Sequence, residues 1–226
     1  SDLGEELLTG KPLMAKGGAF EGLDVAVNFH PNKINEATVG VSTAVNSAKF
    51  HFYGKASHAA NAPENGRSAL DAVELTDIGA NYLREHVPSD VRIHYTIVDG
   101  GVAPNIVPDK AVVWYYMRAF SREVVENVYE RLVKVAKGAA MMTETELEIE
   151  FLGGCYNTQN NQVLAGVVAE AMNEIPQEPW TQEELDFAAA LDEQTADAAR
   201  ATTKKYGLPA DTHLYKIVRA SCRERV

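Results

Sequence analysis

The order of hydrophobic periods between Ala48 and Leu152 restricts this fold more than any other feature of the chain. Lys49-Phe50-His51-Phe52-Tyr53 alternates and is rich in aromatic residues, as a half-buried strand requires, and it stops at Gly54. Leu70, Val73, Leu75, Ile78, Tyr82 and Leu83 recur at helical spacing from Arg67 to about His86, with Pro88 just beyond. Val91, Ile93, Tyr95 and Ile97 alternate with Arg92, His94 and Thr96 as far as Gly100-Gly101, and Ala111 to Arg118 reads as a strand with bulky residues on both faces. Ser121 is placed to cap a helix that carries Val124, Val125, Val128, Leu132, Val135 and Ala139. Leu147, Ile149 and Phe151 alternate with Glu146, Glu148 and Glu150, and Gly153-Gly154 follows. Strand, helix, strand, strand, helix, strand is the split βαβ order, in which two helices cover one face of a sheet. The middle of the chain therefore predicts a ferredoxin-like domain of its own.

The flanks carry other signals. Asp24-Val-Ala-Val-Asn-Phe29 predicts a short apolar strand with His30 at its carboxyl end, the edge where ligands collect in open α/β sheets. Asn161 to Glu174 predicts an amphipathic helix through Leu164, Val167, Val168 and Met172. Thr181 with Glu184 forms a capping box, and the helix it starts is expected to run to Tyr206, with Gly207 as its left-handed stop and Pro209 after it. Neither flank holds enough strands for a sheet. The economical reading assigns both to one α/β domain, interrupted by the middle domain and cut off at each end.

Composition narrows the function classes. The chain has 226 residues, enough for one or two domains, and no apolar run approaches the roughly 18 residues that span a bilayer. Its formal charge is −11 without a local Lys/Arg cluster, so a nucleic-acid backbone would be repelled. Split βαβ sheets also bind RNA through exposed aromatics, but that charge argues against it here. Two cysteines, Cys155 and Cys222, offer neither a disulfide framework nor a thiolate zinc knuckle, which points to a reducing, cytoplasmic compartment.

Several residues could carry chemistry. Glu5 and Glu6 are adjacent in a Gly-flanked segment, and His30 follows 24 residues after Glu6. A tight carboxylate pair is useful where a divalent cation neutralises it, although a solvated acidic pair reads the same way. His58 lies in the small-residue turn from Gly54 to Asn61, where it could donate to an oxyanion or simply bond the backbone. Gly100 to Asp109 is a long connection that keeps Asn105 between two prolines, as functional loops and rigid spacers both do. Arg118 ends a strand of apolar and aromatic residues, where a guanidinium suits capture of a carboxylate or pairs with a nearby Glu or Asp. His51, His86, His94 and His213 have no convergent company and read as surface or packing residues.

Long segments in consistent order carry a family likeness: Gly-Lys-Ala-Ser-His-Ala-Ala at 54–60, Gly-Arg-Ser-Ala-Leu-Asp-Ala-Val at 66–73, Ala-Pro-Asn-Ile-Val-Pro at 103–108, Gly-Ala-Ala-Met-Met-Thr-Glu-Thr at 138–145 and Trp180-Thr-Gln-Glu-Glu-Leu185. Together they resemble the aminoacylase and carboxypeptidase-like metallopeptidases, family 20 of the metallopeptidase series, from Gly4 to about Tyr206. The resemblance implies a truncated α/β metallohydrolase domain, residues 1–46 and 154–218, with an inserted lid and dimerisation domain, residues 47–153. It implies hydrolysis of the amide between an acyl or aroyl group and an amino acid such as glutamate, with two divalent ions, zinc or manganese, in the full-length enzyme. Glu5 would match the general base, and Glu6 and His30 metal ligands. His58 would match the histidine that each protomer of a family dimer offers to the active site of its partner. Asn105 and Arg118 would match lid residues that hold the substrate, Arg118 on its free carboxylate.

The departures are equally definite. The family's upstream His-x-Asp ligands and its late histidine have no counterpart, and the surroundings of His213 do not match that late motif. The chain is therefore expected to be an incomplete, inactive copy, with residues 219–226 a non-native tail. The alternative is a non-catalytic dimerising lid module.

Overall fold

The computed structural model describes residues 10–29, 35–37, 39–40, 42–176, 179–194, 197, 200–201, 203–204 and 218–220. The chain forms two compact units, residues 1–24 with 41–158, and residues 25–40 with 159–226. Along the described chain run α1 (Gly10–Lys16), β1 (Asn35–Ala37), β2 (Ala44–Tyr53), α2 (Ala69–Leu83), β3 (Arg92–Asp99), β4 (Lys110–Ala119), α3 (Arg122–Thr143), β5 (Glu146–Cys155), α4 (Gln162–Glu174), α5 (Gln182–Gln194) and β6 (Val218–Ala220).

In the first unit an antiparallel sheet has the strand order β3-β4-β2-β5, the ferredoxin-like order that the alternation of periods predicts. Both helices lie on one face. Alternation along β2 and β4 sends Ala48, Phe50, Phe52, Val113, Tyr115 and Met117 under them, where Val73, Val125, Val128 and Leu132 meet them. Phe50 and Tyr115 pack edge to face, with ring centroids 5.6 Å apart. The helices approach closely at Gly79, where an added Cβ would lie 2.4 Å from Val135 Cγ1.

Local chemistry sets the helix ends. The amide of Asp71 donates to Ser68 Oγ at 3.1 Å, which caps α2. Ser121 occupies the expected position before α3 with extended backbone, but its side chain makes no capping hydrogen bond, so its backbone carbonyl alone accepts from Val125. α3 ends at Glu144, which holds a left-handed φ of 53° without being glycine and forms an ion pair with Arg67 at 2.5 Å.

The second unit pairs β1 with β6 in parallel, Asn35 opposite Val218 and Ala37 opposite Ala220. Asn161 Oδ1 accepts from Leu164 N at 3.0 Å and caps α4. The capping box before α5 is reciprocal: Thr181 N donates to Glu184 Oε2 at 2.8 Å, and Glu184 N donates to Thr181 Oγ1 at 3.3 Å. Those bonds hold the Glu184 carboxyl below its ordinary pKa. Helical backbone recurs at residues 197, 200, 201, 203 and 204, while Tyr206, Gly207 and Pro209 lie outside the described residues.

One expected element is corrected. Asp24–Phe29 is not a strand, and Val25, Val27 and Phe29 are exposed. Apolar alternation makes a strand only where a ladder partner exists, and none is present for this segment among the described residues.

Candidate functional site

Glu5, Glu6 and His30 lie outside the described residues, as does His213. Among the described residues, no group of three or more His, Cys, Asp and Glu side chains is placed to hold a metal ion. The candidates within the first unit fall at two ends of its sheet.

At one end, the loop after β2 and the loop before β4 zip together. Lys55 and Arg67 exchange backbone hydrogen bonds at 2.8 and 2.9 Å, Val107 N donates to Ser57 O at 2.9 Å, and Ala59 N donates to Asn105 O at 3.0 Å. His58 forms a bridge with Ile106. Only glycine permits this closure at position 54, because a Cβ there would lie 2.0 Å from the Arg67 carbonyl oxygen. His58 and Asn105, 47 residues apart in sequence, thus stand side by side on an exposed rim.

The His58 ring is held by its own turn. The amides of Ala60 and Asn61 both donate to its Nδ1, each at 3.2 Å. Their donation assigns Nδ1 as the acceptor and leaves the proton of the neutral ring on Nε2.

Arg118 sits at the other end. In the β2–β4 ladder Tyr53 is opposite Lys110, whereas Arg118 is opposite Val45. Eight residues of strand separate the two ends, roughly 27 Å at the usual rise. Arg118 lies over the Tyr116 ring, 5.4 Å from its centroid, and directly opposite Arg92 in the β3–β4 ladder.

Structure also brings forward groups with no sequence signal. Tyr115 O–H donates to Asp77 Oδ1 in the core. Burial pushes the Asp77 carboxyl up to about 6, opposed by the Tyr115 hydrogen bond and helped by nearby Glu74, and burial likewise raises the Tyr115 hydroxyl. Where β2 begins and β5 ends, Arg122 donates to the carbonyls of Val45 at 3.0 Å and Cys155 at 3.3 Å, and pairs with Glu126. Beside them the buried Asn46 Oδ1 has no hydrogen-bond partner among the described residues. A cavity of about 530 Å³ between Tyr53, Lys55, Glu64, Arg67, Glu144 and Glu146 is lined by none of the expected site residues.

Residues 44–141 match the peptidase dimerisation domain. The chain is 41% identical over 193 residues to a p-aminobenzoyl-glutamate hydrolase subunit of Escherichia coli (strain K12), covering 83% of this chain and 39% of that protein. It is 35% identical over 162 residues to Xaa-Arg dipeptidase of Mus musculus, covering 71% and 37%. The crystal structure of aminobenzoyl-glutamate utilization protein from Klebsiella pneumoniae matches with a TM-score of 0.50 at 24% identity, over 63% of this chain and 39% of that one, and shows the shared fold. The chain belongs to family 20 of the metallopeptidases. It spans about two-fifths of the length of these relatives. Among the described residues no helix is long and apolar enough to cross a membrane.

Proposed function

We propose that this chain is part of a metal-dependent amidohydrolase that cleaves an N-acyl or N-aroyl amino acid, with p-aminobenzoyl-glutamate the substrate its relative's name points to. In this reading residues 47–153 are the lid and dimerisation domain, residues 1–46 and 154–218 belong to the catalytic domain, and residues 219–226 are a non-native tail whose first two residues nonetheless extend the β1–β6 ladder. Glu6 and His30 supply a carboxylate and an imidazole, donors that suit zinc or manganese. When bound, such ions supply the positive charge that polarises an amide carbonyl and acidifies water. Glu5 takes a proton from the attacking water and returns it to the leaving amine. His58 donates its Nε2 proton to the oxyanion, Asn105 adds an amide donor beside it, and Arg118 grips the free carboxylate.

The observation that carries this reading is the His58 ring, exposed on the rim and held at Nδ1 by two backbone amides, which leaves Nε2 to donate. A second supports a dimer. One small substrate cannot touch both His58 and Arg118 of a single protomer across roughly 27 Å of sheet, whereas two protomers can supply one each. The outer edge of β3 has no ladder partner among the described residues and leaves Tyr95, Ile97 and Val98 exposed, a surface suited to a second copy.

The test follows p-aminobenzoate release by the enzyme extended to the length of its relatives. Glu5→Gln abolishes turnover while metal content stays, and His58→Ala lowers kcat by about 100-fold with little change in KM. Mixing these two inactive variants restores turnover, because a mixed dimer holds one site with both groups intact. Full activity of Glu5→Gln would defeat the general-base role of Glu5. Dimers without any turnover would favour the non-catalytic lid module, the part of the chain that the peptidase dimerisation domain matches at residues 44–141.

A further inference from the structure

Arg122 is poorly placed for its helix and well placed for a strand end. As the first residue of α3 it sets a cation beside the positive pole of the helix dipole, where acidic side chains are favoured. Its guanidinium serves the sheet instead. Nη1 donates to the carbonyl of Val45 at 3.0 Å and to that of Cys155 at 3.3 Å, Nη2 pairs with Glu126, and the group lies over the Tyr156 ring, 5.5 Å from its centroid. Val45 and Cys155 are ladder partners where β2 begins and β5 ends, so one side chain ties two strand ends together.

That tie leaves a neighbour unsatisfied. Asn46 is fully buried, and its Oδ1 is the one buried side-chain nitrogen or oxygen without a partner among the described residues. Exchanging the two ends of the amide does not help, because Nδ2 is the end that donates to Glu126 Oε2, at 3.4 Å. A donor stands close by. A Cβ on Gly154 would lie 2.4 Å from Asn46 Oδ1 and 2.8 Å from an Arg122 Nη1 nitrogen, so acceptor and donor border one small gap that the absence of a side chain at Gly154 keeps open. Moving Nη1 from Cys155 to Asn46 exchanges one charge-assisted hydrogen bond for another. The longer of its two carbonyl bonds is given up, Cys155 is only partly buried, and the buried amide gains the partner it lacks. The β2–β5 register shifts between Ser47 and Ala48, just inside this point, so a regular ladder does not lock the strand end.

We propose that Arg122 is a two-position latch on the exit of β5: closed, it holds the Val45 and Cys155 carbonyls; open, it keeps Val45, releases Cys155 and satisfies Asn46 Oδ1. The chain passes from the first unit to the second after Thr158, whose amide donates to Ser42 Oγ at 2.5 Å. The latch therefore sets how firmly that passage is anchored to the sheet. It is independent of the hydrolase reading, because no residue given a catalytic, metal or substrate role takes part.

Amide hydrogen exchange over residues 153–158 of the 226-residue chain reads the latch directly. Asn46→Leu, similar in size but without an acceptor, removes the open position and should slow that exchange about fivefold. Asn46→Ala gives the same reading if leucine does not fit. Were Asn46 a packing residue alone, both substitutions would loosen the strand end and speed exchange. Arg122→Gln removes the tie and should speed exchange about tenfold. In that background the Asn46 substitution should have no effect, because Asn46 acts through the guanidinium. Exchange at the core positions Phe50 and Val113 that matches the parent establishes that a variant is folded. Faster or unchanged exchange over 153–158 in a folded Asn46 variant, or slowing that persists without Arg122, would overturn the latch.

Discussion

The two units answer the same kind of sequence signal differently. In the first, the apolar stripes of α2 and α3 close over β2 and β4, and Phe50, Phe52, Tyr115 and Leu132 are fully buried. In the second, α4 has an equally regular stripe, yet its only buried residue is Ala169, and Val163 and Val167 stay exposed. Phe187 of α5 is likewise exposed. Amphipathic spacing specifies which face of a helix seeks cover. Stability comes only where an opposing surface of matching size exists.

That contrast is most vulnerable at Phe50. Phe50→Ala should cost about 3–5 kcal/mol, read as a loss in denaturation midpoint, and a cost near zero would mean that the first unit is not held by this core. A glycine between the two helices probes the same packing from the other direction. Gly79→Ala pushes a methyl group against Val135 and should cost about 1–3 kcal/mol.

Asp77 tests whether the first core tolerates charge. Its pKa rises on folding from 3.8 to about 6, so the folded state holds the proton more tightly than the unfolded chain. The resulting stability is complete below about pH 4 and is lost as pH rises through about 6. Midpoints measured at pH 5 and pH 7 should differ by about 1–2 kcal/mol more in the parent than in Asp77→Asn, with the parent gaining at the lower pH. An identical pH profile in the variant would show that the carboxyl is not titrating there.

The smaller effects belong to the second unit. A Cβ at Gly166 of α4 meets nothing within 4 Å, so Gly166→Ala should raise thermal stability by up to about 1 kcal/mol, the opposite sign to Gly79→Ala. Val167→Ala should move the same midpoint by less than about 0.5 kcal/mol, and a larger loss would reveal packing on that face.

Much of the architecture was legible in the sequence because it depends on local periods. Alternation at Val91–Ile97 and Leu147–Phe151 appears as β3 and β5, the helical stripes at 67–86 and 121–139 appear as α2 and α3, and Thr181 and Glu184 form the reciprocal cap that their spacing predicts. Asp24–Phe29 failed for a physical reason: alternation gives a strand its two faces but cannot give it a neighbour. Ser121 failed more narrowly, since a residue can occupy a capping position without turning its hydroxyl to the amides.

Interactions within a few residues were therefore enough to set the strands and helices of the first unit, their order and the types of side chain able to bind, donate or titrate, and these can be read along the chain. Which of those residues meet was settled by tertiary contacts. The ladder register set His58 beside Asn105, carried Arg118 to the far end of the sheet and put Arg92 against it. Packing depth gave Asp77 its raised pKa. Register and burial arise between segments far apart in the chain, and no local pattern encodes them.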